Sequence, residues 1–172
     1  YETNQGLTFV SINALLMRRY MYEFGVRHED FAGFTVNAHR NAMANPNAMF
    51  RYPVSAEQFA QARMIADPIN LLDSSPIGDG AAAVILCPTQ MARCFTDKPV
   101  RVMASAVATD SVALHDRRDP LSLEAAFLSA QKAYSLSGIK PYDVDLFEAH
   151  DAFTIMAALE LEACGFAERG RG

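Results

Sequence analysis

The chain has 172 residues, 51% apolar and 20% charged, with a formal net charge of -5. The length is that of one ordinary domain, and the acidic balance, with a pI near 5.3, argues against nucleic acid as the main partner. No apolar run of about 18 residues is present, so no transmembrane helix is expected, and Tyr1-Glu2-Thr3-Asn4-Gln5 lacks the charged and apolar regions of a signal peptide.

Residues 7–24 read as an amphipathic helix. Phe9, Ile12, Leu16, Tyr20 and Phe24 form one stripe, with Arg18, Arg19 and Glu23 off it. Gly25 is its stop. A second helix is expected over 29–44, where Glu29 and Asp30 suit the helix dipole and Asn45-Pro46-Asn47 ends it. Ser55 with Gln58 is a capping box for a short third helix, 56–62. Residues 63–79 read as irregular, and long loops in compact domains are usually functional or partner-facing.

Residues 80–87 are short, apolar and uncharged, the pattern of a buried strand. A connection around Cys94–Pro99 leads to a second strand candidate at 100–109. Residues 110–120 are charged, and His115-Asp116 reads as surface. Leu121 to Leu136 is a helix stopped by Gly138. A strand is expected at 143–149 and a last helix at 152–164, with Phe153, Met156, Leu159 and Ala163 at helical spacing. Strand, helix, strand, helix after residue 99 argues for parallel βαβ units.

Cys87, Cys94 and Cys164 cannot all pair and have no metal spacing. Cys87 and Cys164 read as small core residues of a reducing, cytoplasmic compartment.

The richest stretch is Asp145-Leu146-Phe147-Glu148-Ala149-His150-Asp151-Ala152-Phe153-Thr154. It places His150 where a strand runs into a helix. Open α/β folds put binding and chemistry just outside the carboxyl ends of their strands. A buried histidine bonded in a loop fits the local pattern as well. Asp151 is expected to cap the helix with its own carboxylate. Asp73-Ser74-Ser75-Pro76-Ile77-Gly78-Asp79-Gly80, followed by Ala81 to Leu86, is a polar turn entering a small-residue strand.

These two motifs, with Gly6-Leu7-Thr8-Phe9 and the segment Asn37 to Ala48, resemble the thiolase superfamily. The likeness is to its sterol carrier protein-type and archaeal/bacterial acetyl-CoA acetyltransferase branch, which carries His-Asp-Cys-Phe or His-Asp-Ala-Phe where other thiolases have Asn-Glu-Ala-Phe. The resemblance implies an α/β, thiolase-like fold, present in part. A helical, coenzyme A-facing loop domain would span 1–78, the last strand of the N-terminal core and a linker 79–98, and the βαβα start of the C-terminal core 99–172.

It also implies His150 in an oxyanion hole, Ser75 against the pantetheine arm of coenzyme A and Phe153 lining the acyl pocket. Turn chemistry for Ser75 and plain core for Phe153 remain alternatives. His39-Arg40 and Arg51 are candidates for coenzyme A phosphates, because Arg suits phosphate oxygens; a solvated helix face is the alternative. Ala152 stands where many relatives have Cys, and Pro76 departs from the common Gly.

The implied activity is forming or cleaving a 3-ketoacyl-CoA through a Cys acyl-enzyme. Coenzyme A thioester is the substrate, and no covalently bound cofactor is implied. The family's nucleophilic Cys, its Gly-His-Pro base and its Cys-x-Gly element are expected outside this chain, which is read as the middle of a longer homodimeric or tetrameric protein. Two alternatives stand: a thiolase-fold carbon–carbon lyase with an OB-fold partner, or a non-catalytic acyl-CoA or lipid-binding protein.

Overall fold

The computed structural model describes residues 2–172. Helix α1 spans Phe9–Phe24. Thr8 caps it, its side chain accepting from the Ser11 N–H at 3.1 Å and satisfying one of the four orphan donors of a helix start. Gly25 closes it at φ 67°, a left-handed conformation that costs glycine little. Helix α2, Ala32–Ala42, follows a short 3-10 turn at His28–Phe31. Helix α3, Ala56–Ala60, starts at the expected capping box: Ser55 Oγ accepts from the Gln58 N–H and Gln58 Oε1 accepts from the Ser55 N–H.

Strands β1, Met64–Ala66, and β2, Ile69–Asn70, form a small antiparallel hairpin where irregular chain was expected. Asp67-Pro68, a cis peptide, makes its turn. Proline is disfavoured inside a strand, and here it lies between the paired residues, so the turn signal and the strand signal coincide.

Helix α4 is Glu124–Ser137, ended by Gly138 at φ 73°. Helix α5 is Thr154–Ala163. Helix α5 is apolar almost all round, the signature of a helix buried on most sides, and its Ile155, Ala158 and Leu159 are among the most buried side chains. It touches α1, α2 and α4. One core joins Leu16, Met17 and Tyr20 of α1, Phe59 of α3, Ile69 of β2 and α5.

Polar contacts pin the ends. Tyr134 Oη donates to the Cys164 carbonyl at 2.8 Å. Tyr20 Oη donates to Glu162 Oε1 at 2.5 Å, and that oxygen also accepts from the Gly170 and Gly172 N–H groups. Burial, and the Glu162 carboxylate beside it, push the Tyr20 hydroxyl well above its ordinary range.

The strands expected at 80–87, 100–109 and 143–149 are not formed among the described residues. Their backbones make no ladder, and the sheet is two-stranded. The apolar pattern is nevertheless that of strands, and many of its side chains stand in solvent: Ile85 is 99% exposed and Val100 94%, while Ala104, Ala106, Ala108 and Val144 are half-buried. A strand exists only through the neighbour that completes its hydrogen bonds, and no described segment pairs its backbone with these three. For the same reason Cys87, expected in a core, is exposed; Cys164 is half-buried.

Candidate active site

The site is organised from β2. Asn70 caps the turn Leu71–Asp73, its Oδ1 accepting from the Leu72 and Asp73 N–H groups. Its Nδ2 donates to the Phe59 carbonyl at 2.7 Å. Asp73 answers from the other end of this capping box, Oδ2 accepting from the Asn70 N–H at 2.8 Å. Asp73 is only 2% exposed, so its remaining lone pairs need protein donors. His28 Nε2 reaches Oδ2 at 2.7 Å, and Thr154 Oγ1 donates to Oδ1 at 2.5 Å. The His28 ring stacks on Phe59, centroids 4.9 Å apart.

The chain leaving Asp73 then meets the start of α5. Ser74 pairs with Phe153 in an isolated antiparallel bridge, and the Ser75 N–H donates to the Ala152 carbonyl at 3.0 Å. The two motifs singled out in the sequence are therefore side by side.

Beside this seam is a cavity of about 390 Å³. Phe34, His39, Phe50, Tyr52, Leu71 and Pro76 give it an apolar, mostly aromatic wall. His39 Nδ1 donates to the Tyr52 carbonyl at 3.0 Å, and the His39 and Phe50 rings are near parallel, 6.4 Å apart. The polar side is Thr35, Asp73, Ser74, Ser75, Asp151 and Thr154. The Thr35 hydroxyl donates to the Leu72 carbonyl at 2.7 Å and fixes α2 against the turn. The charged side chains of this polar side are the carboxylates of Asp73 and Asp151. Such a wall suits a neutral, partly apolar ligand group and repels a phosphate.

Four of the residues named from the sequence lie in different places. Ser75 is on the cavity wall. Phe153, 4% exposed, is in the core, its ring edge-on to Phe9 with centroids 5.4 Å apart. Arg40 is exposed, its Nη2 donating to Asn37 Oδ1 at 2.7 Å, and it is not part of the wall. His150 is exposed and lines a second, shallower cavity of about 390 Å³ with Tyr134, Phe147, Glu148, Glu160 and Cys164. The structure thus brings Ser75 to Phe153 through the Ser74 bridge and holds His150 just beyond that seam.

Asp151 does not cap α5. The cap position is Phe153, whose side chain has no acceptor to offer, so no side-chain cap bond forms. Asp151 is exposed overall, but partial desolvation of its carboxyl raises it above its ordinary value, opposed by its own backbone N–H and by His150. Burial likewise raises Glu160, opposed by the His150 backbone N–H, and the Cys164 thiol. Among the described residues no group of three or more His, Cys, Asp or Glu side chains is placed to hold a metal ion.

Sequence reasoning missed Asp73, His28 and Thr154. The Asn-x-x-Asp spacing of Asn70 and Asp73 was a visible capping signal; nothing local marked His28 or Thr154 as its long-range partners.

Comparison with known proteins bears on this arrangement. Residues 106–172 match a family described as Thiolase C-terminal domain-like. The whole chain is 49% identical over 172 residues to an acetyl-CoA acetyltransferase of Methanothermobacter thermautotrophicus, covering 45% of that protein. It is 38% identical over 173 aligned positions to the benzoylsuccinyl-CoA thiolase subunit BbsB of Thauera aromatica, covering 99% of the chain and 44% of the relative. Among solved structures it superposes on the Ltp2-ChsH2(DUF35) aldolase with a TM-score of 0.79 and 27% identity, covering 92% of this chain and 43% of that one. The chain spans less than half the length of these relatives. That superposition, made with the 80–87, 100–109 and 143–149 segments unpaired, shows a partial thiolase-like fold; residues 106–172 belong to the thiolase C-terminal domain-like family, and over its whole length the chain is similar to an acetyl-CoA acetyltransferase and a thiolase subunit.

Proposed function

We propose that the full-length protein carrying this chain is an acyl-CoA acetyltransferase that forms or cleaves a 3-ketoacyl-CoA through a Cys acyl-enzyme. The observation that carries this reading is the seam itself: the Ser75 N–H on the Ala152 carbonyl at 3.0 Å joins the serine turn to the His150–Phe153 junction along an apolar cavity. The acetyltransferase of Methanothermobacter thermautotrophicus, 49% identical along the chain, supports it.

A Cys thiolate, from residues outside this chain, takes the acyl group from one thioester; the carbanion of a second acyl-CoA then attacks it. His150 donates a hydrogen bond to the thioester or enolate oxygen as negative charge grows there. Loss of one such donor costs roughly 2.7–4 kcal/mol. Ser75 and the aromatic wall take the neutral acyl-pantetheine part. The Asp151 carboxylate on that wall keeps the phosphates outside, where Arg40 follows His39 on α2. Phe153 acts from the core by holding the seam.

The loop domain at 1–78, the linker at 79–98 and the C-terminal core from 99 belong to this reading. So do a homodimeric or tetrameric assembly and a cytoplasmic setting, which the free cysteines support. No described helix is long and apolar enough to cross a membrane.

The test is thiolysis of acetoacetyl-CoA by the full-length protein, followed by loss of the enolate absorbance. Turnover that requires free coenzyme A is expected. His150→Ala should lower kcat by about 100- to 1,000-fold, and the 172-residue chain alone should be inactive. A full-length protein without thiolysis sinks the proposal.

A second reading is favoured by the 0.79 superposition on an aldolase: a carbon–carbon lyase acting on an acyl-CoA with an OB-fold partner. Cleavage of a 3-hydroxyacyl-CoA without free coenzyme A would select it. Tight acyl-CoA binding without any cleavage would select a binding protein.

A further inference from the structure

We infer that Asp73 and Thr154 form a positioning clamp for the site, with Asp73 held in place by His28. This rests on the acetyltransferase reading for its kinetic consequence, but its geometry stands apart from it.

Asp73 is a buried carboxylate that the proposed chemistry does not use. Its side chain is fully buried and that of His28 15% exposed. A carboxylate only accepts hydrogen bonds, so His28 presents its Nε2–H at 2.7 Å, beside the Asn70 N–H at 2.8 Å, both on Oδ2. The other oxygen, Oδ1, is left for Thr154 Oγ1 at 2.5 Å. One carboxylate therefore ties three separate pieces together: the turn before α2 through His28, the β2 turn through Asn70, and the first residue of α5 through Thr154.

The residues on either side of the clamp are those of the site. Ser74 and Ser75 follow Asp73 directly; Asp151, Ala152 and Phe153 precede Thr154. Among the described residues, the backbone links between these segments are the Ser74–Phe153 bridge and the Ser75–Ala152 hydrogen bond at 3.0 Å. An isolated pair of strands this short has little rigidity of its own. A charge-assisted bond in a dry setting is shorter and stronger than a neutral one, so Asp73–Thr154 sets how far the serine turn lies from the His150 junction. Thr154 also faces the cavity, so drift there moves a wall of the site. Neither Asp73 nor Thr154 needs to touch the reacting atoms, and misplacement of about 1 Å is enough to cost about 100-fold in rate.

The experiment compares Thr154→Val with Thr154→Ser in the full-length protein. Valine keeps the shape and removes the hydroxyl; serine keeps the hydroxyl. Two readouts are taken, steady-state thiolysis and hydrogen exchange of the Ser75 amide. Thr154→Val is expected to lower kcat by about 10- to 100-fold with KM changed by less than about threefold, and to speed Ser75 exchange at least about tenfold. Thr154→Ser should recover kcat to within about threefold of the parent. If the parent turns over and Thr154→Val matches it, or if Thr154→Ser is no better than Thr154→Val, the clamp is wrong. If the parent does not turn over, the acetyltransferase reading fails, and the Ser75 exchange alone decides the clamp: faster exchange in Thr154→Val but not in Thr154→Ser sustains it, and any other pattern overturns it.

Discussion

Replacing Phe153 by alanine separates the two roles its position allows, acyl-pocket wall or core. The side chain is 4% exposed and lies among Leu16, Ile155 and Leu159 in one cluster. Burying a Phe and then deleting it leaves a cavity that neighbours fill only in part, which costs about 3–5 kcal/mol. The edge-on contact with Phe9, centroids 5.4 Å apart at 62°, accounts for about 0.5–1.5 kcal/mol of that. Phe9 is mostly exposed, so Phe9→Ala alone should cost well under the Phe153 value. A double-mutant cycle should return a coupling in the same range, roughly 0.5–1.5 kcal/mol. The backbone groups that pair Phe153 with Ser74 survive the substitution, so the seam keeps its hydrogen bonds. Urea unfolding should show a lower midpoint at unchanged slope. Under conditions where the variant is folded, KM for short acyl-CoA substrates should stay within about twofold. A loss below about 1.5 kcal/mol together with altered acyl-chain preference would refute the core assignment and restore Phe153 to the pocket.

Asp151→Asn tests the partial desolvation of that carboxyl, which belongs to a residue exposed at the surface, so a small effect is expected. Its folded value lies above the ordinary 3.8 because of that desolvation, so its proton favours the folded state. The stability it contributes is full below 3.8 and is lost as pH rises through the raised value. The neutral amide carries no such penalty, so the variant should melt higher than the parent near neutral pH, with the difference shrinking as pH falls toward the carboxylate range; a difference that grows on acidification contradicts the desolvation argument. Ser55→Ala removes the oxygen that accepts from the Gln58 N–H and should lower stability by about 1 kcal/mol. Ser55→Thr should lose little, and equal melting of all three proteins would show that the α3 start is held by Phe59 packing instead.

Helices were legible in the sequence because their signals are local. The Leu16–Tyr20 stripe, the Gly25 and Gly138 stops and the Ser55–Gln58 box each lie within a few residues of what they determine, and the structure has them. The hairpin at Met64–Asn70 was hidden because its two strands have three and two residues, too few for alternation to register. At 80–87, 100–109 and 143–149 the apolar pattern reads as strand, but pattern supplies only half of a strand. The other half is a neighbour at ladder distance, and sequence cannot say whether one is present.

The site divides the same way. Ser75 and His150 were singled out because each sits in a recognisable run of residues, yet the runs alone gave no distance between them. What sets that distance is Asp73, whose partners His28 and Thr154 are far from it in sequence. The consequence is a division of labour along one short segment. Asp151 lines the aromatic cavity with Ser75, while His150, its immediate neighbour, lines the other cavity with Glu160. Under the proposed acetyltransferase reading, a thioester held by the first cavity and polarised from the second has its carbonyl beside the His150–Asp151 step. That step is tied to the serine turn through the Ser75 N–H on the Ala152 carbonyl. Rigidity there matters more than the identity of any wall residue, because a donor aimed at a developing charge works only if it is already in place when the charge appears.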